Sequence, residues 1–115
     1  MSECIFCKVA RKEVPASLVY EDDQLVAFKD IFPQAPVHLL LIPKAHAPNL
    51  GEMTPEVEAA VGRIPALAAR LAADHGLAHG GWRLLANTGA HGGQTVFHVH
   101  FHLLGGKPLG ALVGP

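Results

Sequence analysis

"GGQTVFHVHFHLLGG", residues 92–106, alternates histidine with apolar residues. Successive side chains of a β-strand point to opposite faces, so a strand over residues 96–104 would sort these side chains by type. One face would carry His98, His100 and His102. The other face would carry Val99, Phe101 and Leu103. We therefore interpret the stretch as the last strand of a sheet, with one face on the core and three imidazoles on the other.

The spacing of the three histidines limits what they can do together. A rise of ~3.3 Å per residue separates neighbouring histidines by ~6.7 Å and the outer two by ~13 Å. One metal ion held at ~2 Å by all three would be strained. A solvent-facing polar strand is the alternative, but imidazole is valued for its chemistry more than for its strand propensity. The three side chains are therefore expected to perform different tasks.

Length and composition favour one folded domain. The chain has 115 residues, and single cores are commonly built from roughly 100 to 150, so we expect one domain over residues 1–115. Hydrophobic residues make up 50% and charged residues 17%, which excludes a disordered segment. The net charge is −1, with scattered Lys and Arg. This pattern predicts neither a nucleic-acid partner nor a membrane partner.

The amino-terminal half offers no sign of membrane insertion or secretion. Its apolar runs, such as VHLLLI at residues 37–42, are short of the ~20 residues that cross a bilayer. Residues 1–13 mix charges and cysteines where a signal peptide needs an apolar core. We therefore expect a cytoplasmic protein. In that reducing compartment Cys4 and Cys7 are either free thiols, a redox pair or part of a metal site, rather than a structural disulfide.

The remaining elements predict an α+β fold with an antiparallel sheet covered by helices on one side. A short helix is expected from Phe6 to about Lys12. Strands are expected over residues 17–22, 24–30, 37–44 and 81–89. The best helix begins after the N-cap Thr54 and carries an apolar stripe. Pro65 is expected to kink that helix, because proline removes a backbone hydrogen bond.

The glycine-rich turn NTGAHGGQT, residues 87–95, precedes the histidines. Glycines at 89, 92 and 93 would let backbone amides approach an anion, and Gln94 and Thr95 add side-chain donors. The turn lacks the Gly-Lys-Ser/Thr of a Walker A loop. It is either a phosphate cradle or a plain hairpin loop, and the adjacent histidines favour the cradle.

The segments IFCKVARKEVPASLVYEDDQLVAFKDIFPQAPVHLLLIPKAH (residues 5–46) and NTGAHGGQTVFHVHFHLLGG (residues 87–106) resemble the histidine-triad (HIT) family of nucleotide hydrolases and transferases, in its Hint branch. The resemblance implies a five-stranded antiparallel sheet with one long and one short helix. It also implies a homodimer in which the region around residues 81–89 extends the sheet across a two-fold axis.

The resemblance assigns roles to individual residues. His100 would attack the α-phosphorus to give a nucleotidyl-histidine that water hydrolyses, His102 would bind the phosphate oxygens, and Thr95 would lie near the leaving group. Asp30 would bind the ribose. The implied nucleotide-binding set is Phe6, Val9, Phe28, Asp30, Ile31, Asn87, Gly93, Gln94, Thr95, His100 and His102.

The resemblance also completes a metal site. Some HIT proteins carry a Cys, Cys, His, His set, which here corresponds to Cys4, Cys7, His46 and His98. Two thiolates and two neutral imidazoles would balance the charge of one Zn²⁺ in a closed, structural tetrahedral shell. One zinc per chain is therefore expected.

The leading functional hypothesis is a hydrolase of purine nucleoside phosphoramidates. The alternatives are a dinucleoside polyphosphate hydrolase, a zinc-stabilised nucleotide-binding regulatory protein and a metal-dependent hydrolase. His38, in an apolar strand, is interpreted as a structural histidine. The tail KPLGALVGP, residues 107–115, departs from the Hint pattern.

Overall fold

The computed structural model describes residues 4–113. Its helices are α1 (Ile5–Ala10), α2 (Pro55–Gly62) and α3 (Ile64–Asp74). Its strands are β1 (Leu18–Glu21), β2 (Leu25–Lys29), β3 (Val37–Pro43), β4 (Trp82–Leu85) and β5 (Phe101–Gly105). The strands form one sheet in the order β1-β2-β3-β5-β4, and every neighbouring pair is antiparallel. The predicted α+β fold with a five-stranded antiparallel sheet is therefore confirmed.

The long helix is divided where proline predicted a kink. Thr54 is the N-cap, and its Oγ1 accepts a hydrogen bond from the Val57 amide at 3.2 Å. Helix α2 ends at Gly62 and α3 begins at Ile64, so the interruption falls two residues before Pro65. Pro65 has no N–H to donate and is tolerated here because it stands in the first turn of α3.

The helices α2 and α3 cover one face of the sheet. Ile64, Leu67 and Leu71 from the helix pack against Leu41 of β3 and Leu103 of β5 in a fully buried cluster. Burying such side chains stabilises the fold by roughly 1.5–3 kcal/mol each. This packing fixes β5 and thereby decides which of its side chains face away from the helices.

The opposite face is only half covered. Helix α1 places Phe6 and Val9 on Phe28 of β2 and Leu40 of β3. The cross-strand register pairs Leu40 with His102 and His102 with Leu85, so these side chains share that face. The part of the face made by β5 and β4 therefore lies beside α1 rather than beneath it. We call the whole of this sheet face, which lies opposite α2 and α3, the site face.

The last strand is shorter than predicted. It begins at Phe101 rather than Val96, so His98 and His100 precede the regular strand. In the β3–β5 register Leu41 pairs with Phe101, which would bring Pro43 opposite Val99. Proline cannot donate to a ladder, and the Pro43 carbonyl instead accepts from the His98 side chain at 2.8 Å. The ladder ends there, although Val99 and Leu103 still face the helix side as predicted.

Candidate active site and metal centre

A cleft of about 590 Å³ opens on the site face beside α1. Its apolar end is lined by Phe6, Val9, Phe28 and Ile31. Its polar end is lined by Asp30, Thr95, His100 and His102. A volume of this size suits a small-molecule ligand, and a mostly apolar lining with a few polar groups at one end is typical of such sites.

His100 is held in one tautomer. Its ring is buried, and its Nδ1 lies 2.8 Å from the carbonyl oxygen of His98. A carbonyl oxygen only accepts, so Nδ1 carries the proton and Nε2 of the neutral ring keeps its lone pair. The Phe6 ring packs edge-on against His100 at a centroid distance of 5.1 Å. The arrangement fixes the orientation of the ring and assigns Nε2, rather than Nδ1, to the cleft.

His102 is held in the opposite tautomer by His38. The backbone N–H of Gln34 donates to Nδ1 of His38 at 3.0 Å, so a neutral His38 carries its proton on Nε2. That Nε2 lies 2.9 Å from Nδ1 of His102. Donation from His38 leaves the His102 proton on Nε2, as a hydrogen-bond donor for the cleft. His38, interpreted from the sequence as structural, is therefore part of the site.

Burial keeps both of these histidines neutral. Desolvation lowers the pKa of His102 to about 4, and the nearby rings of His100 and His38 add to the shift. Desolvation also lowers the pKa of His38, although Asp30 acts in the opposite direction. Near pH 7 the His38–His102 pair therefore donates and accepts as neutral imidazoles.

Asp30 lies in the wall of the cleft and contacts the His38–His102 pair. Its Oδ1 accepts a hydrogen bond from the Phe32 amide at 2.8 Å. Its Oδ2 lies 3.3 Å from Nε2 of His38. The carboxylate thus fixes the loop after β2 and also faces the histidines. Asp30 therefore presents an oriented hydrogen-bond acceptor in the wall of the cleft.

The glycine-rich turn is not an open cradle of amides. The amides of Gly92, Gly93 and Gln94 donate to carbonyls within the turn at 3.0–3.2 Å. The Gly89 amide donates to Gln94 Oε1 at 2.9 Å. Since these donors are engaged within the protein, the anion cradle expected from the sequence stays a prediction. The turn is also compact at Gly92, where a Cβ would clash with the Thr88 carbonyl oxygen.

Gln94 braces the turn instead of facing the cleft. Its side chain is buried, and Nε2 donates to the carbonyls of Pro48 at 2.6 Å and Val96 at 3.0 Å. Asn87 also holds the turn, donating from Nδ2 to the Gly92 carbonyl at 2.7 Å. Of the residues expected at the nucleotide, Asn87, Gly93 and Gln94 do not line the cleft. Thr95 does line it and is exposed.

Four predicted metal ligands converge next to the cleft. The donor atoms of Cys4, Cys7, His46 and His98 all lie within 4.8 Å of one another. His98 Nδ1 lies 3.3 Å from Cys4 Sγ, 3.5 Å from Cys7 Sγ and 3.1 Å from His46 Nδ1. These separations are close to the ~3.3–3.8 Å edges of a tetrahedral shell with metal–ligand bonds of ~2.0–2.3 Å. The cluster can hold a metal ion.

The surroundings prepare His98 as a ligand. Its Nε2 donates to the Pro43 carbonyl at 2.8 Å, which leaves the Nδ1 lone pair pointing at the cysteines. Metal-binding histidines commonly have such an outer hydrogen bond, which fixes tautomer and ring orientation. Burial lowers the pKa of His98 to about 4, so the imidazole is in the neutral form that binds metals.

The sequence missed two parts of the site. His38 was hidden because an apolar strand is an ordinary place for a satisfied histidine, and only the register of β3 with β5 brings it diagonally next to His102. The loop residue Gln34 supplies the amide that sets the tautomer of His38. The available clue was the position of His38, two residues before Leu40, which pairs with His102.

Among residues 4–113 no helix is long and apolar enough to cross a bilayer.

The chain is similar to known proteins in sequence. The HIT domain family matches residues 11–109. The purine nucleoside phosphoramidase of Escherichia coli K12 is 49% identical over 111 residues, covering 96% of this chain and 93% of that protein. An uncharacterized HIT-like protein of Synechocystis sp. is 53% identical over 107 residues, covering 93% of each chain.

Solved structures agree with the sequence matches. A HIT family hydrolase from Legionella pneumophila superposes with a TM-score of 0.91 at 43% identity, covering 97% of this chain and 100% of that one. A histidine triad protein from Clostridium difficile gives a TM-score of 0.92 at 39% identity, with 98% of each chain covered. The expectation that the chain is an enzyme is confirmed at this level. The chain belongs to the HIT family of hydrolases.

Proposed function

We propose that this enzyme hydrolyses purine nucleoside phosphoramidates through a covalent intermediate on His100. The observation that carries the proposal is the hydrogen bond from His100 Nδ1 to the His98 carbonyl, which assigns the lone pair of the neutral ring to Nε2 at the cleft. A neutral imidazole is a competent nucleophile near pH 7. The substrate class is supported by the E. coli relative, a purine nucleoside phosphoramidase.

The reaction takes place in two displacements. In the first, the Nε2 lone pair of His100 forms a bond to phosphorus while the phosphorus–nitrogen bond breaks. The electron pair of that bond leaves with the nitrogen, which takes up two protons from solvent to become the protonated amine. In the second, water attacks phosphorus, loses its protons to solvent, and returns the electron pair to Nε2. The products are a nucleoside monophosphate and a protonated amine, and the enzyme is regenerated.

His102 and Thr95 assist these steps without changing their own charge. The His102 Nε2–H would donate to a phosphate oxygen and stabilise the charge that gathers there in the transition state. Thr95, exposed at the rim, can relay a proton from solvent to the departing amine. His38 orients this donor through its contact with His102 Nδ1, so the pair acts on the transition state more than on the binding of the ground state.

The nucleoside fits the apolar end of the cleft. Phe6 and Phe28 form an edge-on aromatic pair with centroids 5.6 Å apart, and Val9 and Ile31 also line this end. A purine would lie against these side chains, and its ribose would reach Asp30. Hydrogen bonds to a carboxylate are stronger than neutral ones, so Asp30 is a suitable ribose anchor.

The metal is proposed to be one structural zinc ion per chain. Two cysteines and two histidines fill a tetrahedral shell and leave no open position for water. The ion would tie α1, which carries Cys7 and Phe6, to the segment that carries His98. It would therefore position Phe6 against His100 rather than take part in the reaction. Two cysteines that bind a metal and form no disulfide also agree with a cytoplasmic location.

We further propose a homodimer that joins the sheets of two copies. Strand β4 lies at the edge of the sheet and Trp82 on it is 37% exposed. An edge strand presents unpaired backbone groups that a second copy can satisfy across a two-fold axis. Light scattering at micromolar concentration should give about twice the chain mass of 12.2 kDa. A monomer at that concentration would contradict the proposal.

The decisive experiment looks for the intermediate. The protein is mixed with adenosine 5′-phosphoramidate, quenched with base within milliseconds, digested and analysed by mass spectrometry. Acid is avoided because it hydrolyses the bond between histidine and phosphorus. We expect an adenylyl group on the peptide that contains His100, and none in His100→Ala. Turnover that proceeds at the normal rate with an adduct on no histidine would refute the covalent route.

A further inference from the structure

A second cavity of about 390 Å³ adjoins the cleft. The two share Gln34, His38 and His102 in their walls, so they meet at the histidine pair that is proposed to bind the phosphate. The second cavity extends towards β4 and the segment after β5, away from α1. We call it the basic cavity, because Arg83 and Lys107 line it.

Its location follows from the register of the sheet. His38 pairs with Leu104 and Leu104 with Arg83, so these three side chains share the site face. Helix α1 packs on β2 and β3, and the β5–β4 half of the face is left to the basic cavity. The outer wall is built by Lys107 and Leu109 of the tail, which gives this segment a place at the site.

The two cations in this cavity have no anionic partner among residues 4–113. No Asp or Glu lines it, and among residues 4–113 neither Arg83 nor Lys107 forms an ion pair. The Arg83 guanidinium is held in place by donating from Nη2 to the carbonyl of Gly110. Two cations beside a catalytic histidine, in a chain of net charge −1, favour a local anion.

The division of the site leaves this cavity for the leaving group. With the nucleoside in the apolar cleft and its phosphorus before His100 and His102, the third substituent needs space on the other side of His102. The basic cavity is that space. Its volume is within the range of small-molecule sites, and a planar guanidinium binds carboxylate or phosphate through paired hydrogen bonds.

We infer that the basic cavity is a leaving-group subsite that selects substrates whose departing group carries an anion. The inference rests on the proposed function and adds the substrate class. Two sources supply this chemistry: an amino acid joined to phosphorus through its amino nitrogen, with a free carboxylate, or a further phosphate in a polyphosphate chain. In the amino acid conjugate the phosphorus–nitrogen bond breaks as described above. In the polyphosphate the phosphorus–oxygen bond to the next phosphate breaks, its electron pair leaves with that oxygen, and in both cases the anion remains with the departing group.

The test compares two substrates of nearly equal size. Adenosine 5′-phosphoramidates of glycine and of glycinamide differ by one carboxylate charge. We expect kcat/KM to favour the glycine conjugate about three- to tenfold at low salt, as for a partly exposed charge pair, and the preference to shrink as salt rises. Lys107→Met should remove most of the preference, because it lowers kcat/KM for the glycine conjugate more than for the glycinamide conjugate, which has no charge to pair.

A matched control and two further arms complete the experiment. Lys12→Met removes one exposed Lys that lines neither cavity, and it should keep the preference. Because Arg83 lies in β4, Arg83→Gln is checked for unchanged melting before its kinetics are read. Diadenosine tetraphosphate is the polyphosphate arm. If Lys107→Met lowers kcat/KM for the glycine conjugate, the anion that the cavity binds is the carboxylate of an amino acid. If it lowers kcat/KM for diadenosine tetraphosphate, the anion is a phosphate.

The outcomes separate this inference from the proposed function. Turnover of both conjugates with no preference, unchanged in Lys107→Met and in Arg83→Gln, together with an unaffected tetraphosphate rate, would overturn the subsite and leave phosphoramidate hydrolysis intact. Failure of the wild-type protein to turn over either conjugate or adenosine 5′-phosphoramidate would instead count against the proposed function.

Discussion

His38 Nε2 lies 2.9 Å from Nδ1 of His102, and the backbone amide of Gln34 occupies the other nitrogen of His38. The two contacts form a relay of fixed polarity from the backbone to the cleft. Each imidazole receives one hydrogen bond and donates the next. His102 is thereby set as a donor without carrying a positive charge.

The first prediction tests this relay. His38→Phe removes the donor that sets the His102 tautomer while filling the same apolar strand position. We expect kcat to fall ~10- to 100-fold, as for the loss of an orienting hydrogen bond to a catalytic group, with the affinity for AMP changed less than about threefold. His38→Gln, which restores an N–H donor, should recover part of the rate. Equal losses in both variants would contradict the relay.

The sequence identified the chemistry of the site better than its framework. Alternation predicted that His98, His100 and His102 share a side, and they do, because Val99 and Leu103 are buried under α2 and α3. It could not predict that the β3–β5 ladder ends at the Leu41–Phe101 pair, since the register of two strands distant in sequence is set by long-range contacts. Periodicity reports which face a residue takes but not where its partner strand stops.

The glycine turn shows a second limit. Glycines near catalytic histidines are compatible with a phosphate cradle and with a tight turn, and the sequence contains both possibilities. The structure places the amides of Gly92 and Gly93 inside the turn, where they bond to nearby carbonyls. A polar side chain such as that of Gln94 can equally face a ligand or the backbone, and only the fold of residues 48 and 96 around it decides.

The second prediction concerns the metal. Purified protein prepared without chelator should contain about one zinc per chain, by the tetrahedral rule. Cys7→Ser should lose that zinc and reduce the melting temperature by several degrees, because a structural metal contributes directly to folding. His79→Ala is the control, since His79 is exposed and outside the cluster. Full zinc content in Cys7→Ser would remove this residue from the ligand set.

The third prediction is a loss of stability in mild acid. The folded pKa of His102 is about 4, below the ~6.5 of an unfolded chain, so between these values the unfolded state binds more protons. The free energy of unfolding should therefore fall as pH drops below about 6.5 and level off near 4, with His102 contributing on the order of 2 kcal/mol.

Denaturant unfolding of wild type and of His102→Asn at pH 7 and pH 5 isolates this contribution. Asparagine does not titrate, so the variant should lose less stability between the two values. Metal release, which is common to both proteins, cancels in the comparison. Identical pH dependence would show that His102 is not held neutral by burial.

The fourth prediction concerns the brace of the turn. Gln94→Glu keeps the shape of the side chain but replaces two N–H donors, now bonded to the Pro48 and Val96 carbonyls, by an acceptor. We expect a loss of ~2–4 kcal/mol in unfolding free energy, from buried groups left unsatisfied. Gln24→Glu is the matched control, because Gln24 accepts from Arg63 and a carboxylate there keeps its partner. Equal stability of both variants would refute the brace.

The last prediction separates the two cleft histidines. His100→Ala removes the nucleophile, so hydrolysis of adenosine 5′-phosphoramidate should fall on the order of 10³-fold or more and no adenylyl-protein should form. His102→Ala removes a donor to the phosphate and keeps the nucleophile. It should lower kcat ~10²- to 10³-fold, as for one oxyanion donor, while a trace of adenylyl-protein still accumulates. AMP affinity should change little in His100→Ala, because Asp30 and the apolar cleft remain. If His100→Ala kept near wild-type turnover while His102→Ala lost it, the roles of nucleophile and phosphate donor, which we assigned from the tautomers of the two histidines, would be wrong.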